Sequence, residues 1–109
     1  MKPVIVSTIA QRDIDSAAAW YENRRYGLGL EFLDRVSETL ERIETNPQGY
    51  AEGYQGLRRA NLEQFPYGLW FRIMPDNSLV IACLHGRRHP VLARERAAGV
   101  IEFPKPEPS

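Results

Sequence analysis

The chain has 109 residues, 43% hydrophobic and 26% charged, a composition that predicts one soluble globular domain with a modest core. Fourteen basic residues balance fourteen acidic ones, which disfavours a protein built to bind bulk nucleic acid. No apolar run approaches the roughly 20 residues of a membrane span and no signal peptide is evident, so we expect a cytoplasmic protein that engages no membrane. The single cysteine, Cys83, excludes an internal disulfide and lies in an apolar run, where an inert buried thiol is expected.

The first 45 residues predict a strand and two helices. Residues 3–7 form a β-rich run, and residues 9–26 are helical in composition. A capping box is expected to begin at Thr8, although Ser7 is nearly as good an N-cap. The glycines of Gly27-Leu28-Gly29 predict a tight corner. Apolar residues recur at spacings of three and four over 30–45, which is typical of an amphipathic helix. So short a corner makes the two helices an antiparallel hairpin whose apolar stripes need a sheet to cover.

The second half of the chain predicts three strands. Residues 57–65 form the weakest of them, and residues 67–74 alternate regularly between the two faces of a strand. Residues 79–84 are almost continuously apolar, which is typical of a strand covered on both faces. One or two helical turns are expected over residues 91–98.

These elements follow each other in the order β-α-α-β-β-β. The order predicts an α+β fold in which the helical hairpin packs on one face of an antiparallel sheet. We expect a single domain over residues 1–98 and a proline-rich C-terminal tail over residues 99–109.

The neutral total charge hides an uneven distribution. Residues 1–55 carry six basic and nine acidic side chains, whereas residues 56–90 carry five arginines and two acids. The basic, histidine-containing segment 85–90 (HGRRHP) follows the last strand. Such a cluster suits one anionic partner, either a nucleic acid or an acidic protein segment. We therefore expect part of the contact with a partner to lie along the strands and this tip.

Several short phrases, taken together and in order, resemble the RelE/ParE superfamily of bacterial toxins from type II toxin–antitoxin systems. The resemblance covers residues 3 to 90. The phrases are Asp13-Ile14, Trp20-Tyr21, Gly27-Leu28-Gly29 with Phe32, Asn46-Pro47, Leu57-Arg58-Arg59, Phe65-Pro66-Tyr67 and His85-Gly86-Arg87-Arg88.

The resemblance implies a compact toxin that is neutralised by direct binding of a small cognate antitoxin, ParD-like or similar. An extended or helical segment of that antitoxin is expected to wrap over the toxin, which would reach operator DNA only through the antitoxin. No cofactor is implied. The sequence has no zinc-ligand spacing, phosphate-cradling glycine loop or nucleophile elbow either, so no metal site is expected.

The superfamily divides by target, and two positions favour the ParE-like branch. RelE-like members cut mRNA in the ribosomal A site, and they typically carry a basic residue where this chain has Gly68. Their catalytic histidine, where present, tends to follow an arginine, whereas His85 here precedes Arg87. The phrase Leu-His-Gly-Arg is common in ParE-like members, which inhibit DNA gyrase without demonstrated hydrolytic chemistry.

Candidate site residues follow from these two branches. For target binding we predict the basic set Arg58, Arg59, Arg72, His85, Arg87 and Arg88. For antitoxin binding we predict Trp20, Tyr21, Leu33 and Trp70. In a metal-independent endoribonuclease, Glu63 or His85 would be the base, His89 the acid and arginines such as Arg72 the phosphate clamp.

Simpler explanations exist for the same residues. His85 at a strand end is explained by structural hydrogen bonding, and cross-strand pairs with Glu63 or Asp76 would account for some arginines. Arg58 and Arg59 are adjacent in a strand, so only one of them can share a face with Arg72.

The sequence therefore predicts a growth-inhibiting toxin that acts by binding DNA gyrase, without catalysis of its own. Two alternatives stay open. One is a ribosome-dependent mRNA endoribonuclease of the RelE type. The other is an inactive module that binds the antitoxin and helps to repress the operon.

Overall fold

The structure is a computed structural model that describes residues 2–86 and 90–102, with the side chains of the second segment given for residues 92–98. Within this part of the chain, no helix has the length and apolar character needed to cross a membrane. Short 3-10 turns at Pro47–Gly49 and Tyr54–Gly56 connect the helical and strand halves. The main elements are β1 (Val4–Val6), α1 (Thr8–Arg24), α2 (Leu28–Thr45), β2 (Leu57–Asn61), β3 (Tyr67–Ile73), β4 (Ser78–His85) and α3 (Pro90–Glu102).

The four strands form one sheet in the order β1-β4-β3-β2. β2, β3 and β4 pair antiparallel as predicted, whereas β1 joins β4 in parallel. β1 pairs only with residues 78–80 of β4, so residues 81–85 have no strand beside them on that edge. Ile81 is an extra residue between the pairs Phe71↔Val80 and Trp70↔Ala82, which makes a β-bulge in this free edge.

The helical hairpin covers one face of the sheet, as the sequence predicts. Its main buried contacts come from Ile14 on α1 and from a stripe of Phe32, Val36 and Ile43 on α2. These side chains meet Leu69, Phe71 and Val80 of the sheet. Tyr21, Phe32, Phe65 and Tyr67 form a cluster of mutually contacting rings at one end of this core. Burial of this apolar surface is the main source of stability for the fold.

The helix ends differ from the predicted ones. Ser7, and not Thr8, is the N-cap of α1, because its hydroxyl accepts the Ala10 N–H at 3.1 Å. α2 begins at Leu28, two residues earlier than predicted, and Gly27 turns the corner with a left-handed φ of 87°. Since Gly27 has no capping side chain, the Glu22 carboxylate replaces it and accepts the N–H groups of Gly27 and Gly29 at 2.9 Å each.

β2 is shorter than the predicted strand over residues 57–65. It ends at Asn61, and Gln64 adopts a left-handed φ of 73° within the turn that leads into β3. Phe65 is buried in the hairpin core, while Glu63 is exposed on the turn. The predicted strand extended past Asn61 because Phe65 is apolar, but the turn buries this residue without strand pairing.

α3 covers the opposite face of the sheet. It has 13 residues and is longer than the one or two helical turns that the sequence predicted. Its buried residues Ala93 and Ala97 pack against Leu57, Ile81 and Leu84. β4 is thus covered on both faces, as its continuous apolar sequence predicts. The tail beyond residue 102 lies outside the described residues, and the division at residue 98 stays a prediction.

Candidate functional site

Two grooves meet at the end of the sheet where β4 finishes, and they share Tyr67 and His85. The first, here called the tip groove, has a volume of about 570 Å³ and is lined by Arg59, Asn61, Phe65, Pro66, Tyr67, His85 and Gly86. The second, here called the edge groove, has a volume of about 560 Å³. It lies between α1 and the free edge of β4 and is lined by Asp13, Ser16, Ala17, Trp20, Tyr21, Tyr67, Cys83, Leu84 and His85.

His85 lies between the two grooves. It is the partner of Tyr67 across β3 and β4, and the two rings contact edge to face with centroids 5.3 Å apart. Gly86 follows with a left-handed φ of 46° and donates its N–H to the Pro66 carbonyl, which turns the chain at this point. The sequence suggested a hydrogen-bonded histidine, yet Nδ1 of His85 is buried without a hydrogen-bond partner among the described residues.

Among the described residues, Arg59 is the arginine that lines the tip groove. It lies opposite Trp70 in the β2–β3 ladder, and its guanidinium carbon is 5.3 Å from the centroid of the Trp70 ring. Arg59 and Arg72 share the α3 face of the sheet and Arg58 lies on the hairpin face, in agreement with the alternation of a strand.

Two of the other predicted arginines are held inside the protein. Arg58 donates to the Tyr50 carbonyl and to Glu52 at 3.3 Å, so its acidic partner is Glu52 and not Glu63 or Asp76 as suggested. Arg72 is only 8% exposed and donates to the carbonyls of Gln55 at 3.0 Å and Ala97 at 3.2 Å. Burial lowers the pKa of the Arg72 guanidinium from its ordinary value. Arg87, Arg88 and His89 lie outside the described residues.

Arg72 lies far from His85, the other described residue proposed for RNA cleavage at the end of a strand. His85 is opposite Tyr67 and Arg72 is opposite Leu79, which places the two at different ends of β3. Five residues of strand separate them, a distance of about 17 Å. Glu63 is exposed on the β2–β3 turn, and Arg72 is buried under α3. A base, an acid and a cation that act on one phosphate must all lie within hydrogen-bonding reach of it. Glu63, Arg72 and His85 do not meet this condition.

The edge groove contains a network that the sequence did not predict. Asp13 accepts the N–H of Cys83 at 3.0 Å and pairs with Arg96 of α3, which also donates to the Ile81 carbonyl at 3.4 Å. These side chains therefore satisfy backbone groups on the part of β4 that β1 leaves uncovered. Charged side chains on a free edge oppose pairing with another strand. The only sequence signal was Asp13 in the family-like phrase, since Arg96 is 83 residues away.

The four predicted antitoxin-binding residues do not share one surface. Trp20 is 51% exposed beside the edge groove, with the Arg24 guanidinium stacked 4.2 Å from its ring centroid. Tyr21 lines the same groove, although most of its contacts are with the hairpin core. Leu33 is half-buried against that core and does not line the groove. Trp70 lies on the other face of the sheet, packed against the cluster under α3.

Cys83 is buried under Asp13, as expected for an inert thiol. Burial and, to a lesser degree, the Asp13 carboxylate raise the pKa of the Cys83 thiol to about 12. Within residues 2–86 and 90–102, no three His, Cys, Asp or Glu side chains are grouped so that they would hold a metal ion. Neither groove therefore holds a metal site among these residues.

A four-stranded sheet with a helical hairpin on one face and a third helix on the other defines a small α+β domain. A sequence profile described as "ParE toxin of type II toxin-antitoxin system, parDE" matches residues 4–90. The chain belongs to this ParE toxin family.

Comparison with solved structures gives the same fold. One match is a chain of the "Chromosomal ParDE TA system from P. aeruginosa", with a TM-score of 0.61 and 18% sequence identity. The alignment covers 80% of the present chain and 98% of that chain. A search of curated protein sequences gave no match.

Proposed function

We propose that this protein is a cytoplasmic toxin that inhibits DNA gyrase by binding it, and that a cognate ParD-like antitoxin neutralises it. Membership of the ParE family supports the toxin role. The separation of Arg72 from His85, and its burial under α3, is the observation that favours binding over RNA cleavage. A toxin of this kind needs a recognition surface and no catalytic residue of its own.

The tip groove is the surface that we assign to the target. It combines Arg59 with His85, Asn61 and the rim of Pro66 and Gly86, and none of the described residues that line it is an Asp or Glu. In the sequence, Arg87 and Arg88 follow Gly86 directly and add two positive charges to this region. Charge complementarity of this type steers association and fixes the orientation of the partner.

We assign the edge groove to the antitoxin. Trp20 presents a large, half-exposed aromatic surface there, and aromatic side chains of this kind carry much of the energy of protein interfaces. The groove also lies beside residues 81–85 of β4, but the Asp13–Arg96 pair opposes strand pairing there, so we assign the contact to the side chains that line the groove. Tyr67 and His85 line both grooves, so an antitoxin seated in the edge groove would also crowd the target surface.

The test is a supercoiling assay with purified gyrase, ATP, relaxed plasmid and antitoxin-free protein. We expect loss of supercoiling and accumulation of cleaved, gyrase-bound DNA. The double variant Arg87→Ala/Arg88→Ala is expected to lose most of this inhibition, whereas Arg12→Ala serves as a matched control because this exposed arginine of α1 lines neither groove.

Normal supercoiling in the presence of a folded protein that stops growth would reject the assignment to gyrase. Inhibition that survives Arg87→Ala/Arg88→Ala in full would keep gyrase as the target and reject the basic tip as the surface that binds it. Cleavage of mRNA on ribosomes that is lost in Glu63→Gln or His85→Ala would instead establish the endoribonuclease alternative. Harmless expression without the antitoxin would support the inactive co-repressor.

A further inference from the structure

Arg24, in the last turn of α1, carries a charge that no described residue balances. Its side chain is exposed, and among the residues that the structure describes its one charged interaction is with the ring of Trp20. The neighbouring Arg25 differs, because it pairs with Glu31 at 3.3 Å. The helix dipole explains a basic side chain at this end of α1, but it does not explain a guanidinium held over an aromatic ring.

A series of ring contacts holds this guanidinium in place from the hairpin core outwards. Tyr21 stacks on Phe32 with centroids 5.5 Å apart and meets Phe65 edge to face at 4.7 Å. The Trp20 ring then contacts the Tyr21 ring at 5.0 Å and an angle of 89°, and Cζ of Arg24 lies 4.2 Å from the Trp20 centroid. Arg24 is therefore exposed and yet anchored, so it loses less side-chain entropy when a partner binds it.

A guanidinium over a ring can still bind a carboxylate. The ring covers one face of the guanidinium, whereas the N–H groups lie in its plane and point away from its centre. A carboxylate accepts two of them side by side, and such charge-assisted hydrogen bonds are about twice as strong as neutral ones. Trp20 is 51% exposed, so apolar surface lies directly beside the charge. The pair suits an acidic side chain that has an apolar neighbour.

The rest of the edge groove adds no competing charge next to Trp20. Asp13 is the one acidic residue among the described residues that line it, and Arg96 pairs with Asp13. Ser16 and Ala17, which also line the groove, are small and leave room for an apolar side chain against the indole. The charge that remains for a partner on this side of α1 is the positive charge of Arg24.

A nucleic-acid strand suits this surface less well. Proteins that follow a phosphate backbone carry rows of basic residues and a marked net positive charge, whereas this chain is neutral overall. Arg12 is another exposed arginine of α1, but twelve residues of helix place it about 18 Å from Arg24 along the axis. The surface fits a single acidic side chain on a protein segment.

We propose that Arg24 binds an acidic side chain of the antitoxin, and that Trp20 both positions Arg24 and packs against an apolar residue beside that acid. The proposal deepens the assignment of the edge groove to the antitoxin and rests on it. Short peptides can test the chemistry of the Trp20–Arg24 pair without the antitoxin. The two assignments can therefore fail separately.

The first experiment is a ¹H–¹⁵N NMR titration of the antitoxin-free protein with the end-blocked peptides ELLE, QLLQ and KLLK. We expect ELLE to bind most tightly and to shift the Trp20 indole N–H, which is assigned as the signal that Trp20→Phe lacks. Arg24→Gln should weaken ELLE binding about fivefold, the upper range for an exposed ion pair. The matched control is Arg25→Gln, which should change it less than about twofold because Glu31 already pairs with Arg25. Equal effects of the two variants, or equal binding of all three peptides, would overturn the proposal.

The second experiment tests the charge and the positioning role. Arg24→Glu should reverse the order of the peptides, so that KLLK binds more tightly than ELLE, which a purely structural role of Arg24 would not produce. In a double-mutant cycle, Trp20→Leu should weaken ELLE binding more in the wild-type background than in the Arg24→Gln background. An unchanged peptide order in Arg24→Glu would reject the ion pair. An equal loss in both backgrounds would show that Trp20 does not position Arg24.

Affinity of the cognate antitoxin for the same surface separates this proposal from the assignment of the edge groove. We expect Trp20→Ala and Arg24→Glu to weaken antitoxin binding and Arg25→Glu to leave it nearly unchanged. If only Trp20→Ala weakens it, the edge groove stands as the antitoxin site and the acidic contact is rejected. If neither variant does, both assignments are rejected. The supercoiling assay contains no antitoxin, so the assignment to gyrase is tested independently of these results.

Discussion

The two faces of the sheet are held by different kinds of interaction. The hairpin face is closed by large apolar side chains, with Phe32, Leu69 and Phe71 fully buried among them. The α3 face is closed by small residues, Ala93 and Ala97, and by two arginines that reach across to bind oxygen atoms of other elements. Arg72 rises from β3 to the Ala97 carbonyl, and Arg96 descends from α3 to Asp13.

This difference predicts that the two faces respond differently to small movements of the packed elements. Apolar burial is non-directional and survives small movements, whereas a buried guanidinium stabilises a contact only while its partners stay in place. We therefore expect the hairpin face to set the global stability and the α3 face to open locally at a lower cost.

The largest expected effect comes from the hairpin face. Phe32→Ala removes a fully buried ring that contacts Tyr21, Phe65 and Tyr67, and it should reduce the free energy of unfolding by about 3–5 kcal/mol. Urea unfolding followed by circular dichroism measures this loss. The exposed Leu30 on the same helix is the control, and Leu30→Ala should change the free energy by less than about 0.5 kcal/mol. Equal effects of the two variants would refute the account of this core.

Arg72→Met tests the α3 face. The variant keeps an apolar stem but leaves the carbonyls of Gln55 and Ala97 without their donor, so we expect a loss of about 1–3 kcal/mol. Hydrogen exchange should speed up mainly in α3, with α1 and α2 little changed. Arg94→Met is the matched control, since exposed Arg94 contacts only the Tyr54 ring among its described interactions. Uniformly faster exchange in all three helices would contradict a locally held α3.

Asp13→Asn separates charge from hydrogen bonding at the free edge. Asparagine keeps an acceptor for the Cys83 N–H but removes the negative charge that pairs with Arg96. The expected loss is about 1–2 kcal/mol, below that of a fully buried pair, because the side chains of Arg96 and Asp13 stay 19% and 17% exposed. Hydrogen exchange of α3 reports the change. The control is Asp15→Asn, one exposed acid on the same helix, and an equal effect there would argue against the pair.

The smallest expected effect concerns the pH dependence contributed by Cys83. Its thiol pKa is about 12 in the folded protein, compared with 9.0 for an ordinary thiol, so the unfolded chain releases this proton first. Stability from this group is complete below pH 9 and is lost as the pH rises from 9 towards 12. At pH 10 the wild type should lose about 1 kcal/mol that Cys83→Ala does not lose. A parallel pH dependence of the two proteins would show that the thiol is not sequestered.

Much of the fold followed from local patterns. The spacing of apolar residues in α2, the glycine corner and the continuous apolar run of β4 each report a local preference or a one-sided burial, which a single stretch of sequence records directly. The predicted end of β2 was wrong because its burial signal did not come from strand pairing. The sequence predicts Phe65 as the last residue of the strand, yet it is buried within a turn. The sequence also showed that arginines are concentrated in residues 56–90. It did not show that Arg58 and Arg72 are bound to carbonyl groups inside the protein.

The sequence by itself determined the β-α-α-β-β-β order, the hairpin on the sheet, the buried thiol and the family, because periodicity and short ordered phrases are properties of neighbouring residues. Only the tertiary structure decided which arginine faces a groove and which is buried, that α3 covers the second face, and that Asp13 meets Arg96. These contacts depend on strand register and on packing between distant segments, which no local pattern encodes.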